Sequence, residues 1–264
     1  MSGPRPGFLA GFRPTFGRAL RSALPGRKLL ILVVFLLGPP ALMVASGIVA
    51  PHKGVSPYFF IVFFLYLQFL VPLCALLFGT EILLAESSGG TLPFLFTRPA
   101  PRSSIVLGKY VAYLIVGSAA LTLSVLTTLM VYKGSPPLPE GITGRTLLAI
   151  LAAYPAYLGA FAFLSAFTRW SLMAGFLYAF GVEFFLGIIP GMVRKGTVLY
   201  YSRSLFGEWG RDTPRTLKFF FAGDGPGSVS GSLLTLGSIA VICLVLSTVI
   251  IGRRQFIERN PGRA

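Results

Sequence analysis

Apolar residues in this chain gather into long stretches separated by short polar ones. Six runs have membrane length: Leu29 to about Ala50, Tyr58 to about Thr80, about Ser104 to Tyr132, about Thr146 to Thr168, Ser171 to Pro190, and about Leu233 to Gly252. A helix rises about 1.5 Å per residue, so about 20 apolar residues cross the roughly 30 Å hydrocarbon layer of a bilayer. The strict apolar/polar alternation of a membrane β-barrel is absent. Helices satisfy their own backbone hydrogen bonds in lipid. The pattern therefore predicts an all-α integral membrane protein with six transmembrane helices.

A different pattern precedes the first run. Phe16, Ala19, Leu20, Ala23 and Leu24 recur at helical spacing, with Arg18 and Arg21 off that stripe and Pro14 and Pro25 bounding it. The spacing predicts an amphipathic helix over Thr15 to Leu24 that can lie flat at the membrane surface, with a disordered basic tail as the alternative. The whole basic stretch before the first run also resembles a targeting peptide. It is long for one, and the run after it is long enough to span, so a retained segment is expected.

Composition agrees with the pattern and excludes other classes. Hydrophobic residues make up 54% of the chain and charged residues only 12%, against about 25% charged in soluble domains. The net charge of +15 is placed between and beyond the apolar runs, where cations flank a membrane. That placement argues against nucleic acid as a partner. Cys74 and Cys243 sit inside apolar runs and read as small hydrophobes. With His52 as the single histidine, no metal site is expected.

The positive-inside rule sets an orientation. Six Lys and Arg precede the first run, and the segments after runs two and four and after run six are also basic. Both termini in the cytoplasm places 14 basic residues inside and 9 outside. The chain then divides into a basic cytoplasmic N-terminus (1–28), a six-span domain (29–252) with a long extracytoplasmic loop (192–232), and a basic cytoplasmic tail (253–264). Tyr200, Tyr201, Phe206, Trp209 and Phe219 to Phe221 lie in that loop among cations. This predicts short surface helices capping the outer face, with a gate or a contact for an extracytoplasmic accessory protein as the sharper alternative.

The stretch from Gly79 to Lys109 carries most of the functional signal. Glu81 and Glu86 open it in an acid-poor chain, and Gly89 and Gly90 permit a sharp turn. Thr91 can cap a short helix and Pro93 fits its first turn. Leu92, Phe94, Leu95 and Phe96 give that helix an apolar surface, and Pro99 and Pro101 end it. The result is a short apolar knob facing the cytoplasm, flanked by Glu86, Arg98 and Arg102. It suits docking into a partner's groove, or else an interfacial turn anchored by its phenylalanines.

Glu86, Gly90, Thr91, Leu92, Arg98, Pro99 and Arg102, followed by Ile105, Leu107, Gly108 and Lys109, resemble the permease subunits of type-two ATP-binding-cassette transporters. The likeness is sharp over about 30 residues and architectural elsewhere. It implies that residues 86–102 hold a coupling helix between spans two and three that docks on a cytoplasmic ATPase. It also implies an N-terminal elbow helix, a translocation path formed by two permease copies, an inner-membrane location and export as the direction. ATP and magnesium would belong to the ATPase. This chain has no phosphate-binding loop of its own and no catalytic constellation.

Two polar residues interrupt the spans. Glu183 lies well inside the fifth, and a charge there costs roughly 2.5 kcal/mol or more, so it marks a cavity, a path or a hydrogen-bonded partner. Gln68 in the second is cheaper to bury. Both are candidates for the translocation path. An ion-coupled carrier or channel using Glu183, or a membrane scaffold, are the competing functions. Glu183 and Gln68 are few polar groups for a conduit.

Overall fold

Long apolar runs form helices because nothing but their own backbone can satisfy their N–H and C=O groups in lipid. The computed structural model describes residues 8–23, 26–49, 56–88, 102–132, 138, 140–168, 170–188, 192–206 and 228–253. All regular structure among them is helical. In chain order the helices are α1 (Phe8–Ala23), α2 (Arg27–Val49) and α3 (Ser56–Phe60). A π-helical segment (Ile61–Leu70) then leads into α4 (Val71–Ser88), followed by α5 (Arg102–Val131) and α6 (Ile142–Phe167). Next come α7 (Ser171–Phe176), a second π segment (Leu177–Val182) and α8 (Glu183–Ile188). A 3-10 turn (Met192–Gly196) precedes α9 (Val198–Ser204), and α10 (Val229–Arg253) completes the chain.

Five helical stretches are long and apolar enough to cross a membrane: Leu29–Ser46, Tyr58–Ile82, Ser103–Val131, Ile142–Phe167 and Val229–Ile251. They coincide with five of the six apolar runs. The fifth run behaves differently. Its apolar helix, Ser171–Leu186, is shorter than the others, because it shares its column of the bundle with α9.

α6 is the axis of the bundle. Ala149, Ala153, Tyr154, Tyr157, Phe161 and Ala162 are all buried on it, and α4 and α10 pack along it. Small residues set these distances, because helices in lipid associate by close packing. A Cβ on Gly159 would lie 3.0 Å from the Ala240 carbonyl oxygen of α10, and one on Gly79 would lie 2.7 Å from Phe161 Cβ. α6 begins at Ile142, ahead of the expected Thr146, because Gly141 takes a left-handed φ of 80° and starts the helix there. α10 likewise begins at Val229 instead of Leu233.

The prolines inside α2 show how lipid-buried backbone is repaired. Pro39 and Pro40 lack N–H groups, which orphans the carbonyls four residues earlier, on Phe35 and Leu36. Ser124 of α5 donates its hydroxyl to the Phe35 carbonyl at 2.8 Å, with the Leu36 carbonyl 3.4 Å away. Tyr66 of the first π segment closes the group, 2.9 Å from Ser124 Oγ and 2.8 Å from Thr128 Oγ1. One serine thus joins the first, second and third spans.

α1 is longer than the expected Thr15–Leu24 helix. It runs from Phe8, and Pro14 lies inside it instead of bounding it. Packing overrides the proline: Ala19 and Ala23 are buried, and the backbone at Phe12 and Phe16 passes so close to α5 that a Cβ on Gly108 would lie 3.2 Å from the Phe12 carbonyl oxygen. Both halves of the helix are clamped to one groove.

Gly159→Ala should lower the thermal unfolding midpoint in mild detergent, by an amount corresponding to roughly 1–3 kcal/mol for an overpacked contact. Gly237→Ala in α10, where a Cβ meets nothing within 4 Å, should be neutral or slightly stabilising. Equal effects would refute the close-approach account of α6 and α10.

Candidate functional site

The two polar residues singled out in the spans, Gln68 and Glu183, hold the same seven-residue helix, α9. Glu183 is 1% exposed. Tyr157 of α6 donates its hydroxyl to Glu183 Oε2. Tyr178 donates to Oε1 at 3.0 Å, and the Val198 backbone N–H donates to the same oxygen at 3.2 Å. The carboxylate thus sits at the N-terminus of α9, where the first N–H groups lack partners within the helix. Near the far end of α9, Arg203 Nη2 donates to Gln68 Oε1 at 3.1 Å.

The π segments create this arrangement. Five residues apart on an α-helix, Tyr178 and Glu183 would point about 140° apart. In the π register the Glu183 N–H bonds the Tyr178 carbonyl five residues back, which brings position i under position i+5. The tyrosine hydroxyl then reaches the carboxylate. Gln68 lies in the other π segment, which hands over to α4 just before Pro72, where an N–H is missing anyway.

α9 is inserted in the bundle instead of lying on its surface. Val198, Leu199, Ser202, Arg203, Ser204, Leu205 and Phe206 are all buried, which corrects the expectation of surface helices in this part of the loop. The physical reason is depth. Its first N–H meets Glu183 at the level of Tyr157, and its end meets Arg145, whose Nη1 donates to the Leu205 carbonyl at 3.4 Å. Tyr157 and Arg145 are separated along α6 by about 18 Å. The Ser171–Ile188 stretch and α9 together therefore fill one column of the bundle, and neither alone needs full membrane length. Phe206 seals the column against Phe63, with ring centroids 4.6 Å apart.

The turn before α9 is built for burial. Thr197, 1% exposed, accepts from the Tyr200 N–H at 3.2 Å and donates to the Arg194 carbonyl at 2.9 Å. This is an N-cap. The Arg194 guanidinium lies 5.9 Å from the Tyr200 ring centroid, within cation–π range. Non-helical backbone at this depth is tolerated only inside protein.

With this geometry established, comparison with known proteins is decisive. A profile described as ABC-2 family transporter protein matches residues 41–203, more than half of the chain. The chain belongs to the ABC-2 transporter family. Over 67 residues it is also 39% identical to the probable ABC transporter permease protein NosY of Stutzerimonas stutzeri. That match takes in 22% of this chain and 24% of the relative. The family assignment supports a multi-pass membrane permease subunit, and the family profile spans the 86–102 segment and reaches into α9, ending at Arg203.

The residues that carried the resemblance fall unevenly. Glu86 lies in the last turn of α4 and Arg102 opens α5. Gly90, Thr91, Leu92, Phe94, Leu95, Phe96, Arg98 and Pro99 lie outside the described residues. The first turns of α5 are firmly held. Gly108 admits α1, and Lys109 Nζ donates to the Ile82 carbonyl at 3.0 Å, tying α5 to α4 beside the segment. A small cavity of about 40 Å³, lined by Ile31, Leu32, Phe35, Leu77, Phe78 and Glu81, lies close by. It has room for water but not for a sizeable solute. Among the described residues no group of three or more His, Cys, Asp or Glu is placed to hold a metal.

Sequence pattern alone identified Glu183 and Gln68 but missed Tyr157, Tyr178, Arg203 and Thr197. A signal for α9 was present. Thr197 precedes Val198, Leu199, Ser202, Arg203 and Phe206, an N-cap followed by a helical face. Glu183→Ala should speed hydrogen exchange at the Val198–Ser202 amides by tenfold or more, since a lost charged hydrogen bond costs about 1.5–3 kcal/mol, with Tyr154–Leu164 of α6 unaffected. Unchanged exchange in α9 would show that Glu183 does not hold it.

Proposed function

We propose that this chain is the permease half of an ATP-driven exporter of the inner membrane. Two copies form the translocation path, and each docks a separate cytoplasmic ATPase. Residues 86–102 act as the coupling segment, with Gly90 to Arg98 as its helix and Leu92, Phe94, Leu95 and Phe96 as the contact surface. ATP and magnesium act on the ATPase, and this chain performs no chemistry of its own. Both termini face the cytoplasm, α1 serves as the interfacial elbow, and the Ser171–Ile188 stretch with α9 completes a sixth crossing.

The observation that carries this reading is the family match across residues 41–203, a range that includes the 86–102 segment. Two contacts support it physically. Lys109 to Ile82 and Gly108 to α1 brace both helices that flank the segment, so a push on the segment would reach the spans.

In this reading Glu183 and Gln68 bear on the path through α9, which closes the outer half of the bundle. Glu183 acts as a fastener and not as an ion site, because Tyr157, Tyr178 and Val198 already engage its oxygens. An ion-coupled carrier would need that carboxylate open to a conduit.

Affinity purification of the intact permease in mild detergent should bring down a soluble ATPase. Leu92→Asp and Leu95→Asp should each release it, while the permease keeps its melting behaviour. Retention of the ATPase by both variants, or no ATPase in any detergent, would sink the coupling reading.

A further inference from the structure

α1 presents two faces of opposite character. Ala19 and Ala23 are buried against the bundle. Arg13, Arg18 and Arg21 are exposed, and at 100° per residue they fall within about 140° of arc on the opposite side. None of the three forms an ion pair among the described residues. The sequence offers them little competition, since no acidic residue precedes Glu81.

Depth identifies the surroundings of this face. α1 crosses α5 at Gly108, and the apolar stretch of that helix starts at Ser103. The crossing therefore lies about 7–8 Å along the span, the depth of the boundary between headgroups and acyl chains. An amphipathic helix usually buries its apolar face in lipid at this level. Here that face is occupied by α5, so membrane attachment is left to the arginines.

We infer that Arg13, Arg18 and Arg21 form a binding face for anionic phospholipid headgroups of the leaflet in which α1 lies. The chemistry is three guanidinium groups, each able to bond a phosphate in a bidentate way, on a helix held rigid by packing. Headgroup binding would press α1 into the groove at Gly108. The neighbouring Lys109 ties α5 to Ile82, so lipid composition would set the firmness of the support on which the coupling segment stands. The assignment to the cytoplasmic leaflet rests on the proposed orientation, whereas headgroup binding itself does not.

The test uses the full chain in a neutral detergent without any ATPase, so that its outcome is separate from ATPase capture. Phosphatidylglycerol or phosphatidylcholine is titrated in, and the unfolding midpoint and the lipids retained in native mass spectra are read. Phosphatidylglycerol should raise the midpoint and stay bound, and phosphatidylcholine should do neither. The variant Arg13→Gln/Arg18→Gln/Arg21→Gln should weaken the apparent affinity by roughly tenfold or more, given about 1 kcal/mol per basic residue at an anionic surface. The matching triple change to Lys should keep most of the response, and about 0.5 M salt should remove it. The control Arg211→Gln/Arg215→Gln/Lys218→Gln should respond like the parent. An equal response to phosphatidylcholine, an unchanged Gln variant, or an equal loss in the control would overturn the inference. If poly-glutamate or inorganic phosphate reproduced the shift, a soluble acidic occupant would replace the lipid.

Discussion

A polar group in hydrocarbon has no water to turn to, and the irregular parts of this bundle are answers to that constraint. The carbonyls orphaned by Pro39 and Pro40 meet Ser124. The helix that starts inside the bundle meets a carboxylate and a threonine cap at its N-terminus. The two π segments follow the same logic. Each trades regular helix geometry for a register that brings a polar side chain to a partner, Tyr66 to Ser124 and Tyr178 to Glu183.

Magnitudes decide why Glu183 survives at such depth. Placing a charge there costs roughly 2.5 kcal/mol or more. A hydrogen bond to a charged group returns about 1.5–3 kcal/mol, and Glu183 accepts from two hydroxyls and a backbone amide. The network offsets the penalty, and a single missing donor shifts the balance by about the whole of it. The same arithmetic applies to α9, which is buried along most of its length, so the polar groups at its two ends must find partners there, Glu183 at the start and Arg145 at the end.

The spans were legible in the sequence because hydrocarbon thickness alone sets their length, and five runs appear as helices within a few residues of their expected ends. The errors have local causes. Pro14 reads as a boundary, yet α1 continues through it because its Ala19 and Ala23 pack into the bundle and Gly108 of α5 admits its backbone, a fit that no local rule reveals. The column made by the fifth run and α9 was illegible because it joins two distant pieces, and a surface loop and an inserted helix share aromatic and basic composition. Glu183 was legible as an anomaly. Its partners were not, since Tyr157 and Tyr178 look like ordinary apolar filling until the π register brings them together.

The contacts also form one continuous path along the bundle. Lys109 ties α5 to the Ile82 carbonyl near the end of the second span. Three residues earlier, Gly79 lies against Phe161 of α6 with no space for a Cβ. Phe161 stacks on Tyr157 at 6.1 Å between centroids, and Tyr157 holds Glu183, which holds the start of α9. Backbone against backbone and Cβ, and hydroxyl against carboxylate, are stiff contacts, because interiors packed at crystal density transmit displacement instead of absorbing it. Contiguity of this kind is a precondition for coupling and not a demonstration of it. It nevertheless narrows where a motion of the 86–102 segment can go. A tilt of α4 that separates Gly79 from Phe161 would loosen the ring stack beneath Tyr157 first, and through Glu183 it would reach the start of α9.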